Sequence, residues 1–281
     1  MKHIHRSRLV RIALFVILAA CFAYSTGWCD ELDQFSGLEG TLDIAGGTAH
    51  IPVMKEAAEK IMAKNPKIRL TIAGGGSGVG VQKVGEGLVH IGNTGRALTK
   101  EEIGKYGLKS FAFAVDGVAV AVNPKNRLSE LTAGQMKDIF AGKITTWKDV
   151  GGLDAPIHVF TRDEASGTRE VFWEKLLQKG PVVNSANVVP SNGAMKVAIS
   201  KDPLAVGYLG IGHLDATVKA VKLDGVEPTQ ENATNGTYKV TRKLYMNTKG
   251  EPSPLAKAFI EYIAGPDGRK IVEKHGYVPS Q

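Results

Sequence analysis

The sequence predicts an α/β protein built on a parallel or mixed sheet. Short apolar runs of strand length alternate with segments of helical periodicity, and turns rich in glycine or serine separate them. Turn residues are plentiful, since 33 of the 281 residues are glycine. A third observation is the run 111–122, which is too apolar to leave one face in water and therefore predicts a buried strand.

The predicted strands are short apolar runs that end in turn residues. In chain order they are 41–47, 68–73, 89–92, 111–122, 157–161 and 205–209. The predicted helices follow most of these turns. They cover 48–64, 79–85, a segment after Thr99, one or two helices in 128–141, 169–177, and one long or two shorter helices in 253–274. This recurring order of strand, turn and helix is typical of a sheet with helical connections.

Several helix boundaries are marked by residues with a defined role at a helix end. Pro52 is tolerated only in a first turn, so it fits the start of the first helix. Thr99 followed by Glu102 is the capping-box pattern. Ser166 predicts an N-cap for a helix that glycine and proline at 180–181 end.

The strand 157–161 leads directly into the segment with the clearest functional signal. Arg162 supplies a fixed cation, and Ser166 begins a helix whose first backbone N–H groups and positive dipole end are free. Thr168 adds a second hydroxyl, and Gly167 allows a ligand to approach the backbone. The combination favours an anion. A serine-capped helix near an arginine also occurs without a ligand, so a purely structural interpretation stays open.

Three turns place a hydroxyl residue as a helix cap at the carboxyl end of a predicted strand. These residues are Thr48, Ser77 and Ser166. Ligands of open α/β sheets bind at this edge. If the three turns converge beside Arg162, their donors enclose a small tetrahedral anion. Three independent structural caps are the alternative.

Motifs for other chemistry are incomplete. Gly75–Gly80 is followed by Val81 and Gln82 rather than lysine, which excludes a phosphate-binding Walker loop. Val79 stands where a dinucleotide fingerprint or a hydrolase elbow needs glycine. The histidines that follow the first 29 residues show no paired spacing. They are His50, His90, His158, His213 and His275. We therefore predict a protein that is not an enzyme and that holds neither a metal nor a cofactor.

Residues 1–29 predict a signal peptide. They contain four basic residues and no acid, and their apolar run is shorter than the about 20 residues of a membrane span. A lipobox-like sequence ends at Cys21, which would leave that cysteine acylated. Ordinary cleavage near Asp30 is the favoured alternative, because 22–24 continue the apolar run.

Removal of this segment changes the composition of the chain. Its two cysteines, Cys21 and Cys29, are the only ones, so the rest of the chain has no disulfide and needs a hydrophobic core. The formal charge falls from +7 to +3, because 31 basic and 28 acidic residues remain. Nothing indicates the clustered basic face of a nucleic-acid-binding protein. About 250 residues fit one large domain or two lobes.

Motifs spread over nearly the whole chain after residue 30 occur together in one known family. They lie at 46–48, 76–78, 91–96, 116–124, 146–147, Arg162 with 166–168, and 206–208. In these motifs the chain resembles the phosphate-binding proteins of bacterial ABC importers, which have the type II periplasmic binding protein fold. The spacing from Arg162 to 166–168 is the most specific of these features.

The resemblance implies a two-lobed α/β fold in which each lobe is a mixed sheet flanked by helices and a hinge joins the lobes. We expect a first lobe of 38–114 plus 225–281 and a second lobe of 117–222, with the strand 111–122 passing between them. The implied protein is periplasmic and monomeric. It binds inorganic phosphate, closes around it and delivers it to a membrane permease.

The resemblance also implies a set of ligand-binding residues. Those expected in the first lobe are Thr48, Ala49, Ser77, Thr94 and Gly95. Those expected in the second lobe are Arg162, Ser166, Gly167 and Thr168. Glu164 is expected to pair with the arginine, with Asp163 as a weaker candidate for that role, and Asp116 is expected behind the ligand-binding residues.

Gly95 departs from the family pattern, which has serine or aspartate there. The aspartate accepts a hydrogen bond from protonated phosphate, and sulfate at neutral pH has no such proton. Thr94, Asn93, Asp116 or a water could replace it, or the site could take another oxyanion such as sulfate or molybdate. An anion-responsive signalling protein and an enzyme acting on phosphate esters are further alternatives, and the missing nucleophile argues against the enzyme.

Overall fold

The computed structural model describes residues 30–280. The predicted signal peptide at 1–29, with its possible lipid anchor at Cys21, lies outside the described residues. The helices are α1 Ile51–Lys64, α2 Ser77–Gly85, α3 Lys100–Tyr106, α4 Ala133–Phe140, α5 Gly167–Lys175, α6 Asn192–Lys201, α7 Gln230–Thr234, α8 Pro254–Ala264 and α9 Pro266–Lys274.

The strands are mostly short, with two longer ones that connect the halves of the fold. They are β1 Gly40–Gly46, β2 Ile68–Gly75, β3 Ile91–Thr94, β4 Leu108–Val122, β5 Glu130–Leu131, β6 His158–Arg162, β7 Asn187–Val189, β8 Ala205–Gly210, β9 Lys219–Ala220, β10 Lys222–Leu223, β11 Thr241–Lys249 and β12 Val278–Pro279.

One ten-stranded sheet runs through the molecule in the order β2-β1-β3-β11-β4-β8-β6-β7, with β9 and β12 also paired to β4. Strands β1, β2 and β3 are mutually parallel, as are β6, β7 and β8. The long strand β4 pairs antiparallel with β11 up to Gly117 and with β8 from Val118. The predicted mixed sheet is confirmed, and β4 passes between its two halves as the sequence predicted.

Each half of the sheet has its own hydrophobic core. The first core includes Ile44, Met54, Phe113 and Phe259, so α1 and α8 cover the sheet there. We call this half the first lobe. The second core includes Val120, Phe140, Phe172 and Tyr208, which brings α4 and α5 onto the other half, the second lobe. A smaller cluster around Met195 covers the opposite face of the second lobe with α6. The two-lobed architecture that the resemblance implied is thus present.

The second passage between the lobes lies later than the predicted boundary. Tyr238 and Val240 pack into the second core, although both lie in 225–281, which the sequence analysis assigned to the first lobe. Leu244 is the next residue of that segment in the first core. This packing favours a boundary between Val240 and Leu244, within the start of β11.

Most predicted elements match the structure to within a few residues. Residues 128–131 are not helical: they end in β5, and a Thr132 capping box begins α4. The segment 253–274 is two helices, because Pro266 begins α9. Neither α6 nor β11 was predicted from the sequence.

Candidate anion-binding site

The turns after β1, β2, β3 and β6 meet where the two lobes face each other. The backbone N–H of Gly78 donates to the carbonyl of Ala165 across the cleft at 3.0 Å. A Cβ on Gly76 would lie 2.5 Å from the same carbonyl oxygen, and Gly76 has a φ of +90°. Only glycine permits both this backbone conformation and this close approach of the lobes.

A small cavity of about 10 Å³ lies between these turns. We call it the central cavity. Its size excludes a nucleotide and restricts any ligand to a small ion. Its lining residues are Gly47, Thr48, Ala49, His50, Gly76, Ser77, Gly95, Arg162, Ser166, Gly167, Thr168 and Arg242. The structure therefore brings together eight of the nine ligand-binding residues named from the sequence, and Thr94 is the exception.

Thr94 does not line the central cavity, and its hydroxyl is hydrogen-bonded within the first lobe. The side chain donates to the carbonyl of Arg96 at 2.8 Å and accepts from Asn247 at 3.0 Å. It is fully buried at the end of β3. The Thr94 hydroxyl therefore has no hydrogen to offer a ligand, since that hydrogen is already donated within the protein.

Arg162 is 2% exposed and is held by backbone carbonyls. Its Nε donates to Val189 at 2.9 Å and its Nη2 to Pro190 at 3.0 Å, while Nη1 has no partner. Glu164 is exposed, and the described residues contain no ion pair between it and Arg162. The expected Glu164 pairing is therefore wrong. Burial lowers the pKa of Arg162, and the neighbouring Asp163 carboxylate opposes this effect.

The three predicted capping hydroxyls behave differently from one another. Ser166 caps α5, because its Oγ accepts from the N–H of Arg169 at 3.2 Å. Thr48 and Ser77 make no capping hydrogen bond. Ser77 Oγ instead accepts from the N–H of Gly95 at 2.9 Å. The cap prediction is confirmed for Ser166 alone, and the other two hydroxyls remain available to the cavity.

Arg242 is a second cavity arginine that the sequence analysis missed. It comes from β11 and is 6% exposed. Its Nε and Nη2 donate to Oδ2 of Asp116 at 3.0 and 2.8 Å, and its Nη1 donates to Thr168 at 2.7 Å. Asp116 thus lies behind the cavity, paired with Arg242. One sequence pattern could have predicted this strand: the buried residues Arg242, Leu244 and Met246 alternate with more exposed ones.

Gly95 and Arg242 share one space. A Cβ on Gly95 would lie 2.9 Å from Nη1 of Arg242. A side chain at position 95 would therefore compete with the guanidinium for its place. The position where the family pattern has serine or aspartate is occupied here by a cation from β11.

Asn192 is a further residue that was not predicted from the sequence. Its side chain connects the two lobes. It begins α6, and its Nδ2 donates to Oγ1 of Thr48 in the first lobe at 3.0 Å. Its Oδ1 accepts from the N–H of Gly210 at 3.1 Å. Asn192 is fully buried. It therefore fixes the Thr48 hydroxyl from the opposite lobe.

The charge of the central cavity is positive. Arg242 is compensated by Asp116, while no carboxylate is hydrogen-bonded to Arg162. A buried guanidinium without a counter-charge is costly, and a bound anion would remove much of that cost. Within residues 30–280, no group of three or more His, Cys, Asp or Glu side chains is arranged to hold a metal ion. No helix in that range is long and apolar enough to cross a bilayer.

Known proteins resemble this chain over almost its full length. The family profile described as PBP superfamily domain matches residues 36–267. The phosphate-binding protein PstS of Bacillus subtilis is 37% identical over 277 residues, which cover 96% of this chain and 92% of that protein. The PstS of Pseudomonas aeruginosa is 30% identical over 277 residues, covering 89% and 86%.

Solved structures agree with these relatives. A phosphate ABC transporter substrate-binding protein from Clostridium perfringens, with bound phosphate, matches with a TM-score of 0.81 and 36% identity over 86% of this chain and 100% of that one. An ABC-type phosphate transport receptor from Vibrio cholerae matches with a TM-score of 0.69 and 33% identity, covering 84% and 99%. The chain therefore belongs to the PBP superfamily and, within it, to the family of PstS phosphate-binding proteins.

Proposed function

We propose that this protein is an extracytoplasmic solute-binding protein that captures inorganic phosphate between its lobes and delivers it to the permease of an ABC importer. The central cavity carries this proposal. It is small, it lies between the lobes, and it presents the unpartnered Nη1 of the buried Arg162. The names of the relatives support phosphate as the anion.

The proposed mechanism is binding without a chemical step. Thr48 and Ser77 in the first lobe face Arg162 and Thr168 in the second, so only an anion held by both lobes satisfies all these donors. The lobes are connected by β4 and by the start of β11, two segments that allow hinge closure. The liganded, closed form is then the one that docks on the permease.

Isothermal titration of the mature protein with phosphate, sulfate and molybdate tests the proposal. We expect one phosphate per chain. Arg162→Ala should weaken phosphate binding about 100-fold or more, because it removes a buried charged donor. Arg69→Ala is the matched control, since Arg69 is exposed on β2 outside the central cavity. Absence of heat with phosphate, or unchanged affinity of Arg162→Ala, would refute the proposal.

A receptor for another tetrahedral oxyanion is the second candidate. Gly95 favours it, because the cavity has a guanidinium where the family pattern has an acceptor. Tighter binding of sulfate or molybdate than of phosphate in the same titration would establish this candidate.

Further proposals concern the state of the protein in the cell. We propose that residues 1–29 are removed on export to the periplasm, and that the mature protein is a monomer that binds no nucleic acid. Its two possible N-termini, a residue near Asp30 or an acylated Cys21, differ in mass. Mass spectrometry of the mature protein distinguishes them.

A further inference from the structure

His50 is a buried histidine of the central cavity with one ring nitrogen unused. It is 0% exposed and lines the cavity together with Gly47 and Thr48. Its Nε2 lies 3.2 Å from the carbonyl oxygen of Tyr245, and its Nδ1 has no hydrogen-bond partner. A buried polar atom without a partner is uncommon and calls for an explanation.

The carbonyl of Tyr245 fixes the tautomer of His50. A carbonyl oxygen can only accept, so Nε2 must carry the hydrogen and Nδ1 must present its lone pair. Burial, reinforced by the charge of Arg242, lowers the pKa of His50 to about 3. The ring is therefore neutral at physiological pH, and Nδ1 is a hydrogen-bond acceptor.

The Nδ1 edge of the His50 ring lies against the backbone of Gly47. A Cβ on Gly47 would lie 2.7 Å from both Nδ1 and Cε1 of His50. Gly47 and His50 are both cavity residues. Only glycine at position 47 therefore leaves room for the His50 ring beside the cavity.

The four cavity hydroxyls donate to no protein group in the described part of the chain. The oxygens of Ser77 and Ser166 each accept one hydrogen bond from a backbone N–H. The oxygen of Thr48 accepts from Asn192. The oxygen of Thr168 accepts from Arg242. Their hydrogens are left to point at a ligand.

His50 Nδ1 is thus the unpartnered side-chain acceptor among the described residues that line the cavity. Asn93 and Asp116 each have an unpartnered buried oxygen, but neither residue lines it. A fully deprotonated oxyanion has only acceptors, so it has no hydrogen to donate to Nδ1. A protonated oxyanion has one O–H donor that matches it.

We propose that His50 Nδ1 accepts a hydrogen bond from the O–H of the bound anion, and that it makes the site prefer protonated phosphate over sulfate. This inference rests on the proposed function, because it assumes that the cavity binds phosphate. The anion keeps its proton throughout, and no covalent step is involved. His50 is thus a residue that determines the preference for phosphate over sulfate.

Two substitutions separate the ring nitrogens. His50→Gln can still donate to the Tyr245 carbonyl but has no acceptor at the position of Nδ1. His50→Asn can place an amide oxygen at the position of Nδ1 but cannot reach Tyr245. Titration of each variant and of the wild type with phosphate and with sulfate gives the ratio of the two affinities.

We expect the wild type to prefer phosphate and His50→Gln to lower phosphate affinity about tenfold or more, with sulfate affinity unchanged. His50→Asn should keep most of the wild-type ratio. Equal losses for both anions in His50→Gln, or an unchanged ratio, would overturn the inference while leaving the proposed function intact. A wild type that binds no phosphate would instead refute the proposed function.

A measurement on the wild type avoids the risk that a variant misfolds. Nitrogen NMR of ¹⁵N-histidine-labelled protein reports whether Nδ1 of His50 carries a proton and whether it accepts a hydrogen bond. We expect an unprotonated Nδ1 whose resonance shifts on addition of phosphate and not of sulfate. A protonated Nδ1, or the same shift with both anions, would contradict the inference.

Discussion

The two arginines of the central cavity differ in what surrounds their charge. Arg242, on the strand that connects the lobes, donates two hydrogen bonds to the carboxylate of Asp116 at 2.8 and 3.0 Å. Arg162, at the end of β6, donates to the carbonyl oxygens of Val189 and Pro190. The first guanidinium is paired with a carboxylate within the protein, while the second is, among the described residues, hydrogen-bonded to neutral acceptors only.

This difference separates the charge that is paired between the lobe connections from the charge that we propose binds the ligand. Carbonyl oxygens orient Arg162 without cancelling its charge, and they leave Nη1 free. The carboxylate of Asp116 instead fixes Arg242 between β4 and β11, where the lobes are connected. A cation that must bind a ligand is best oriented by neutral acceptors, because a carboxylate partner would compete with the anion.

The largest expected effect is a difference in stability between a variant of Arg242 and a variant of Arg162. Arg242→Met leaves Asp116 buried without its counter-charge and should lower the free energy of unfolding of the ligand-free protein by about 3–5 kcal/mol. Arg162→Met removes a buried charge to which no carboxylate of the described residues is hydrogen-bonded, and it should cause no such loss. Denaturant unfolding of both variants in phosphate-free buffer measures the two values.

The double variant Arg242→Met with Asp116→Asn is the control for this comparison. It removes both charges, so we expect it to recover much of the stability that Arg242→Met loses. Equal losses for Arg162→Met and Arg242→Met would show that the two cations have the same role.

A smaller effect concerns the histidines near the two arginines. Burial, with the charge of Arg242 second, lowers the pKa of His50 to about 3 and that of His213 to about 4. Between these values and the ordinary pKa of about 6.5, the unfolded chain binds protons that the folded protein does not. Stability should therefore fall as pH decreases from about 6.5 to 4.5, by on the order of 2 kcal/mol per histidine.

Denaturant unfolding of the ligand-free protein across this pH range measures the slope. His50→Gln removes one of the two contributions, so its stability should depend less steeply on pH than that of the wild type. An identical slope would mean that His50 takes up a proton in the folded protein, which conflicts with its assigned tautomer.

The smallest expected effect tests an ion pair that joins the lobes outside the cavity. Arg96 follows β3 in the first lobe, and its Nε lies 2.5 Å from Oε2 of Glu170 on α5 in the second lobe. Glu170→Gln should weaken phosphate binding by up to about fivefold, because a partly exposed pair contributes roughly 1 kcal/mol or less. Glu174→Gln on the same helix is the control, since Glu174 pairs with Lys179 within its own lobe.

We expect the Glu170→Gln effect in the rate of phosphate release, and we expect it to diminish at high salt. Stopped-flow release at two ionic strengths checks both points. An equal effect of Glu174→Gln would attribute the change to the charge of α5 rather than to contact between the lobes.

Local patterns were sufficient for most of the fold. The apolar run 111–122 predicted a buried strand because sheet burial on both faces excludes polar residues, and β4 covers Leu108–Val122. The capping box at Thr99 is present as predicted. The strand β11 was missed, although Leu244 and Met246 alternate with polar residues, because Arg242 shares their buried face and Asn247 is buried on the other face.

The candidate site was predictable where its residues form one segment. Arg162 and 166–168 stand together in the sequence, so their common turn could be inferred from spacing. Asn192 and Arg242 reach the same place from distant elements, and no local pattern marks them. Glu164 was misassigned because sequence proximity to Arg162 does not determine which way a loop side chain points.

The sequence by itself determined the alternating elements, the glycine turns and the cation at Arg162, since these depend on interactions between near neighbours. Only the tertiary structure decided that Asp116 pairs with Arg242 and that Gly95 leaves room for that guanidinium. It also decided that the Tyr245 carbonyl lies against His50 and so fixes which ring nitrogen accepts. These contacts depend on how β4, β11 and the turns of both lobes pack together, and that packing is a property of the whole chain.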